Sequence, residues 1–417
     1  MSEGTQLRAA LPSYRPTAFG ALRHRNFRLF FVGQLVSLVG TWMQQVAQAW
    51  LVLTLTNSAF YVGLVGALGS LPVLLLALHA GTVADRMSKL KLIIITQTAA
   101  MILAFILAGL VYAKAVTVWH IIVLAALLGV VSAFDVPGRQ SFFVEMVGKE
   151  DLMNAIALNS SAFNVTRVLG PAVAGILIGK LGIGMCFLLN GISFIAVIAA
   201  LFAIRLPPYR PPALPPSSTW AHIREGLAHV RHDRRMLTIV VNIAVLSILG
   251  YPFLVLMPVV ARDVLGHGAM EFGWMSSAVG VGALSGALIL ATFSHQLPKG
   301  RVLRDAATAF GVVLAAYALA RSLPLVLILL TLTGFAMIIS TATTNTVLQT
   351  LTPDHLRGRT MSVFTLAFVG MGPIGAFQAG YFADKFGAPA TMLVGGILCT
   401  LFTGIAFARV PELRELR

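Results

Sequence analysis

Twelve runs of predominantly apolar residues, each close to the ~20 residues that a helix needs to cross a bilayer, are strung along this chain with polar joints between them. No other feature constrains the fold so tightly. In hydrocarbon every backbone N–H and C=O must find an internal partner, and a run of this length does so as a helix. The runs fall at about 28–54, 60–83, 90–113, 117–138, 154–179, 183–204, 237–261, 271–294, 302–320, 324–347, 360–381 and 388–408. A soluble domain of this length carries about a quarter charged residues, whereas here 11% of the 417 residues are charged and 58% are hydrophobic. The expectation is an all-α membrane protein of twelve transmembrane helices, with the lipid bilayer as its surroundings.

A net charge of +15 would suggest nucleic acid in a soluble protein. Here its distribution encodes topology. With the N-terminus in the cytoplasm, 24 of the 30 Lys and Arg residues fall in the tails and inner loops, and Arg167 falls inside a span. Only Lys114, Lys180, Arg262, Arg321 and Lys385 fall in outer loops. The positive-inside rule then places both termini in the cytoplasm and predicts no nucleic-acid partner. The first twenty residues, MSEGTQLRAALPSYRPTAFG, are polar and contain proline, so no signal peptide is expected and the first helix itself targets the chain. Cys186 and Cys399 both lie in apolar runs, which gives no support for disulfide, metal or thiol chemistry.

The pattern divides in the middle. A tail over 1–27 precedes a six-helix bundle over 28–204; a linker over 205–236 leads to a second six-helix bundle over 237–408 and a tail over 409–417. The linker has six prolines between 207 and 216, an extended and semi-rigid composition. An amphipathic stretch follows, with Trp220, Ile223, Leu227 and Val230 on one helical face and basic residues on the other, read as a helix lying on the membrane surface. His222, His229 and His232 are read as part of its solvated face rather than as a metal cluster. The halves look like copies. GPAVAGILIGKLG (170–182) and GAFQAGYFADKFG (375–387) share Gly, Ala, Gly, Lys and Gly at a shift of 205, and VGKEDL (147–152) pairs with LTPDHL (351–356) at a shift of 204. Two pseudo-symmetric six-helix bundles of the same orientation put a substrate path at their interface, near the membrane midplane.

Between the second and third runs lies GTVADRMSKLK (81–91), read as a cytoplasmic loop. It resembles the loop motif of the major facilitator superfamily, Gly-x-x-x-Asp-Arg-x-Gly-Arg-Arg, through Gly81, Asp85, Arg86 and Lys89; Ser88 replaces a Gly and Leu90 interrupts the basic pair. Gly81 would let two helix backbones approach, and Asp85 would face a helix N-terminus, where the macrodipole favours an anion. The resemblance implies that Asp85 docks near Gly358, Arg359 and Thr360 as a cytoplasmic gate. In the second half His295 stands where Asp85 does, with Lys299 and Arg301 over Lys89 and Lys91, so the gate would be asymmetric. WLVLTLTNSAFYVGLV (50–65), RQSFFVEMVGKEDLMNAIALNSSAFNVTRVLGPAVAG (139–175) and PVVARDVLG (258–266) resemble the bacterial branch with enterobactin exporters and related drug-efflux proteins. Gly170, Pro171 and Gly175 resemble an antiporter motif, although Asn159 and Thr166 stand where glycines would be.

Polar groups in lipid are costly and tend to face a cavity. Gln34, Ser37, Thr41, Gln45 and Gln48 in span one, and Ser160, Asn164 and Arg167 in span five, follow helical spacing. Such stripes serve as helix–helix glue or line a water-filled path; the path, holding the substrate, is the reading taken. Arg167 lies about 20 Å along span five and calls for an acid or an anionic substrate. Asp135 is the candidate acid by depth, with Arg139 one turn on and Pro137 between them as a helix breaker. Asp135 with Arg139 reads equally as a structural ion pair or as a proton site. Span one holds no acid. No catalytic constellation, metal site or cofactor is expected. The function expected is a monomeric, proton-coupled secondary transporter of the bacterial inner membrane, exporting a small amphiphilic siderophore or drug by alternating access. The rival readings are a lipid or nutrient carrier and a non-transporting receptor.

Overall fold

The computed structural model describes residues 19–207, 219–293 and 298–415. Among these no strand occurs, and twelve helices are long and apolar enough to cross a membrane. Spans one to six are Arg25–Thr56, Ala59–Arg86, Lys89–Tyr112, Val118–Val147, Leu152–Leu181 and Ile183–Ala203. Spans seven to twelve are Arg234–Val264, Ala269–Phe293, Lys299–Leu319, Leu323–Leu351, Asp354–Phe386 and Ala388–Arg409. Residues 1–18, most of the proline run at 207–216, and His295 lie outside the described residues, as do the side chains of Trp220, His222 and Ile223.

Apolar side chains cover the outside as well as the core: Leu75, Trp119, Phe202 and Phe386 are all more than 60% exposed. For a chain whose solvent is lipid this is the expected inversion, because helices there associate by close packing rather than by hiding apolar surface from water. Among the first six spans, span one packs on five and six, span two on four, and span three on four and six. In the second set, eight packs on ten, and nine on ten and twelve. Span two runs along span eleven and span five along span eight, joining the two sets. With an even number of spans, the start of span one and the end of span twelve share one side, the terminus side; the turns at 57–58 and 113–117 lie on the far side.

Glycines make the joining contacts possible. A Cβ on Gly63 would lie 2.6 Å from the Gly380 Cα and from the Ala376 carbonyl oxygen, and one on Gly175 would lie 2.8 Å from the Met270 carbonyl oxygen. Both contacts are on the far side. On the terminus side, nothing lies within 4 Å of a Cβ built on Gly81 or Gly358. The two sets therefore meet at one end and part at the other. Gly182 (φ 86°) and Gly387 (φ 84°), equivalent in the 205-residue repeat, each form the turn into the next span at a left-handed φ where other residues are strained.

Three expectations change. Gly81 to Arg86 is the last part of span two rather than a loop; only Met87 and Ser88 separate it from span three. Span four runs through Pro137 to Val147, since proline removes one internal hydrogen bond and the bonds on both sides persist. The linker helix, Thr219–His232, packs on the start of spans seven and eleven. Gly226 brings it against the Arg359 backbone, Glu225 pairs with the Arg359 side chain, and Val230 is buried while Leu227 is exposed, so this end of the helix meets protein as well as the surroundings. Span seven contains π-helical turns at Leu246–Gly250 and Val260–Val264, and span eleven breaks between Phe368 and Gly372, just before Pro373.

Candidate functional site

Span one supplies side chains to two cavities. The first, of about 170 Å³, lies within the first six spans and is lined by Thr41, Gln44, Gln45, Gln48, Gln97, Ser132, Asp135 and Asn190, with apolar residues between them. Asp135 is its buried acid. One carboxylate oxygen accepts hydrogen bonds from Thr96 Oγ1 and Gln97 Nε2, both at 2.8 Å. The other is paired with the Arg139 guanidinium, one helical turn on, which is possible because span four continues past Pro137. A carboxylate out of water survives when it is paired and fully hydrogen-bonded, and this one has three donors. Across the cavity Asn190 Nδ2 donates to Gln44 Oε1 at 2.7 Å.

The second cavity, of about 330 Å³, lies between the two sets of helices. Trp42, Gln45, Val46 and Ala49 from span one, Arg167 and Pro171 from span five, Leu254 and Met257 from span seven, and Phe272, Ser276 and Val279 from span eight line it. The Arg167 guanidinium carbon lies 5.9 Å from the centre of the Trp42 ring, a cation–π arrangement. Among the described residues no acid forms an ion pair with Arg167. Asp135 is therefore joined to Arg139, and Arg167 offers its charge to the cavity. Span eight packs closely here: Ser277 Oγ donates to the Val168 carbonyl at 2.7 Å, and a Cβ on Gly280 would meet the Arg167 carbonyl oxygen at 3.0 Å.

The expected polar stripes are divided. Thr41, Gln45 and Gln48 line a cavity, while Gln34 and Ser37 are buried outside both. Span six presses on span one along that stretch; a Cβ on Gly33 would meet the Val197 Cα at 3.0 Å. In span five Arg167 faces the cavity, but Ser160 is exposed and Asn164 turns its amide back to the Ser160 carbonyl at 2.9 Å. Gly170 and Gly175 let span five touch spans one and eight: a Cβ on Gly170 would meet the Trp42 Cβ at 2.4 Å. The gate residues lie on spans two, three and eleven. Asp85 and Arg86 are exposed at the end of span two, Lys89 pairs with Glu145 of span four at 3.5 Å, and Arg359 pairs with Glu225 of the linker helix. Gly81 makes no close backbone approach.

Gln44, Thr96, Gln97, Ser132 and Asn190 were not expected at a site. The signal was present, since each is a polar residue inside an apolar run. Gln44 stands beside Gln45, a quarter-turn away, and the others lie on spans whose few polar residues are adjacent or a single turn apart and make no long stripe.

A family model described as transmembrane secretion effector matches residues 16–416. The chain belongs to this family of major facilitator superfamily transporters. It is 30% identical over 397 residues to a multidrug efflux pump, Tap, of Mycolicibacterium fortuitum, covering 93% of this chain and 96% of that one. It is 25% identical over 382 residues to the staphyloferrin A transporter of Staphylococcus aureus, covering 91% and 95%. Among solved structures, an inward-facing, unoccupied bacterial homologue of the human lysosomal transporter Spinster has the same fold, with a TM-score of 0.74 at 14% identity, covering 94% of this chain and 98% of that one. A peptide transporter, POT, gives a TM-score of 0.75 at 12% identity over 93% and 94%. The transporter is thus a multi-pass membrane protein of twelve helices in two pseudo-symmetric bundles, and its task is transport rather than catalysis.

Proposed function

We propose that this transporter exports a small amphiphilic molecule with an anionic group, by alternating access and in exchange for protons taken up at Asp135. The observation that carries the reading is Arg167: a cation with no acidic partner among the described residues, facing a cavity of about 330 Å³ otherwise walled mainly by Trp42, Met257, Phe272 and aliphatic side chains. Such a site suits an apolar body with a negative head. Relatives named as a multidrug efflux pump and a siderophore transporter agree with that chemistry. The excess of Lys and Arg on the terminus side supports the inner membrane with both ends in the cytoplasm. On that orientation the open end faces inward. In the opposite state the terminus side closes, and Asp85 meets the N-terminus of the helix that begins at Arg357, where anions are favoured. A single chain encloses the whole path, so a monomer suffices.

Asp135 serves coupling because its Arg139 partner and its Thr96 and Gln97 donors can be exchanged for a proton as the bundle rearranges. The test is reconstitution of the purified protein in proteoliposomes and a screen of anionic and neutral amphiphiles with and without an imposed proton gradient. The wild type is expected to concentrate anionic amphiphiles only with the gradient, and Asp135→Asn to retain downhill exchange while losing the gradient's effect. Gradient-driven uptake by Asp135→Asn would move the coupling site elsewhere. No transport of any amphiphile would remove the reading.

A further inference from the structure

We infer that Arg262 and Asp384 form the far-side latch of the transport cycle, a pair of positioning residues that clamp the turn between spans one and two with opposite charges on opposite helix poles. The inference rests on the alternating-access reading above.

The turn consists of Asn57 (φ 50°) and Ser58. Span one ends there with exposed carbonyls, the negative pole of a helix, and span two begins there with free N–H groups, the positive pole. Arg262, at the end of span seven, donates from Nη1 to the Leu53 carbonyl and to Asn57 Oδ1, both at 2.9 Å. Its Nε and Nη2 rest on neighbouring Asp263, at 2.5 and 3.2 Å. Asp384, in the last turn of span eleven, accepts with Oδ1 from Ser58 Oγ at 2.7 Å and from the Phe60 N–H at 3.3 Å. Span two has no acid in its own first turn, and Ser58 makes no capping bond within it. The cap of span two is therefore supplied by the other half of the molecule, as is the cation at the end of span one. Below the turn, Gly63 and Gly380 bring the two backbones into contact.

The sequence repeats the device at the other end of the same helix pair. Gly81-Thr-Val-Ala-Asp85 ends span two, and Gly380-Tyr-Phe-Ala-Asp384 ends span eleven, which runs antiparallel beside it. Each Gly-x-x-Ala-Asp lies level with its neighbour's N-terminus. In this structure Gly380 is in backbone contact with Gly63, while a Cβ on Gly81 would have nothing within 4 Å. At the far side the glycine–aspartate pair of span eleven engages span two, and the sequence carries the same pair at the terminus side, on span two.

The experiment measures distances between spin labels in the full-length transporter. Cys186 and Cys399 are replaced by alanine, with one label pair on the far side (Ala115→Cys with Ser322→Cys) and another on the terminus side (Lys149→Cys with His355→Cys). Asp384→Ala and Arg262→Ala are each expected to raise the ratio of far-side-open to far-side-closed molecules about tenfold, the worth of one charge-assisted hydrogen bond. The terminus-side distance should shorten in the same molecules. Gly380→Ala, which leaves both charges in place, should shift the ratio in the same direction, because its Cβ would meet the Gly63 Cα at 2.8 Å. Should Asp384→Ala fail to fold, Ser58→Ala decides, with an expected shift of up to about tenfold from one lost hydrogen bond to a carboxylate. Unchanged far-side distances in these variants, in a protein that otherwise populates both states, would reduce Arg262 and Asp384 to helix caps and overturn the latch. A wild type with one fixed distance at each end, whatever amphiphile or proton gradient is applied, would overturn alternating access itself and the latch with it.

Discussion

Arg167 has its guanidinium carbon 5.9 Å from the centre of the Trp42 ring and a cavity beside it. A cation so placed is held by an aromatic face and by whatever anion enters. Replacing it with alanine is expected to cut the initial rate of anionic-substrate transport in proteoliposomes by about 100-fold, the scale of a lost desolvated charge contact. Arg167→Lys should recover part of this, and neutral amphiphiles should be affected far less. Equal loss for charged and neutral compounds would assign Arg167 to folding. Its depth was legible in the sequence, because a lone arginine midway along an apolar run is hard to overlook. Its partner was not: Asp135 lies at a compatible depth, but Arg139, on the same helix one turn away, reaches it first.

At the scale of single elements, the turns and caps carry the clearest physical demands. Gly182 and Gly387 hold φ values of 86° and 84°. Alanine at either is expected to destabilise the protein by about 1–2 kcal/mol, seen as a lower midpoint of thermal unfolding in detergent, with transport by the surviving folded fraction unchanged. The start of span seven depends on Asp233, whose carboxylate accepts from the Arg235 N–H and side chain, each at 2.8 Å. The Arg235 side-chain hydrogen bond holds its carboxyl below the usual 3.8. A carboxyl depressed in the folded state stabilises fully above its unfolded value and loses that contribution as pH falls through the folded one. Amide exchange in the first turn of span seven should therefore quicken as pH drops below about 4, after correction for intrinsic exchange, and Asp233→Asn should flatten the change. Span boundaries were readable to within a turn or two wherever hydropathy set them. They were missed where a helix runs on past its apolar part, as with the residues of span four beyond Gly138.

For the whole molecule, the question is which end is closed. The far side is sealed by glycine contacts between spans two and eleven and between spans five and eight. The terminus side is open around Gly81 and Gly358, with Arg359 held by Glu225 of the linker helix. If Asp85 fastens the closed terminus side, Asp85→Asn should slow turnover several-fold while expression and melting change little. Transport rates per molecule of folded protein check this, and an unchanged rate would leave Asp85 with a topological role only. Releasing the linker helix with Glu225→Ala should act oppositely, freeing Arg359 and favouring closure of the terminus side. A shift towards the closed population, measured by labels at Lys149→Cys and His355→Cys, would bear this out.

Hydropathy by itself determined the class of fold and the number of spans, because a bilayer leaves a chain no cheap alternative to apolar helices with their backbone groups paired internally. Charge distribution by itself predicted an orientation. What only the tertiary structure decided was which polar groups share a cavity. Gln44 joins Asn190 from a span far along the chain, Gln34 and Ser37 are lost to helix packing, and Arg262 and Asp384 cap helices of the opposite half. Those outcomes depend on how closely two backbones approach at particular glycines, a property of pairs of helices that no periodicity within one helix records.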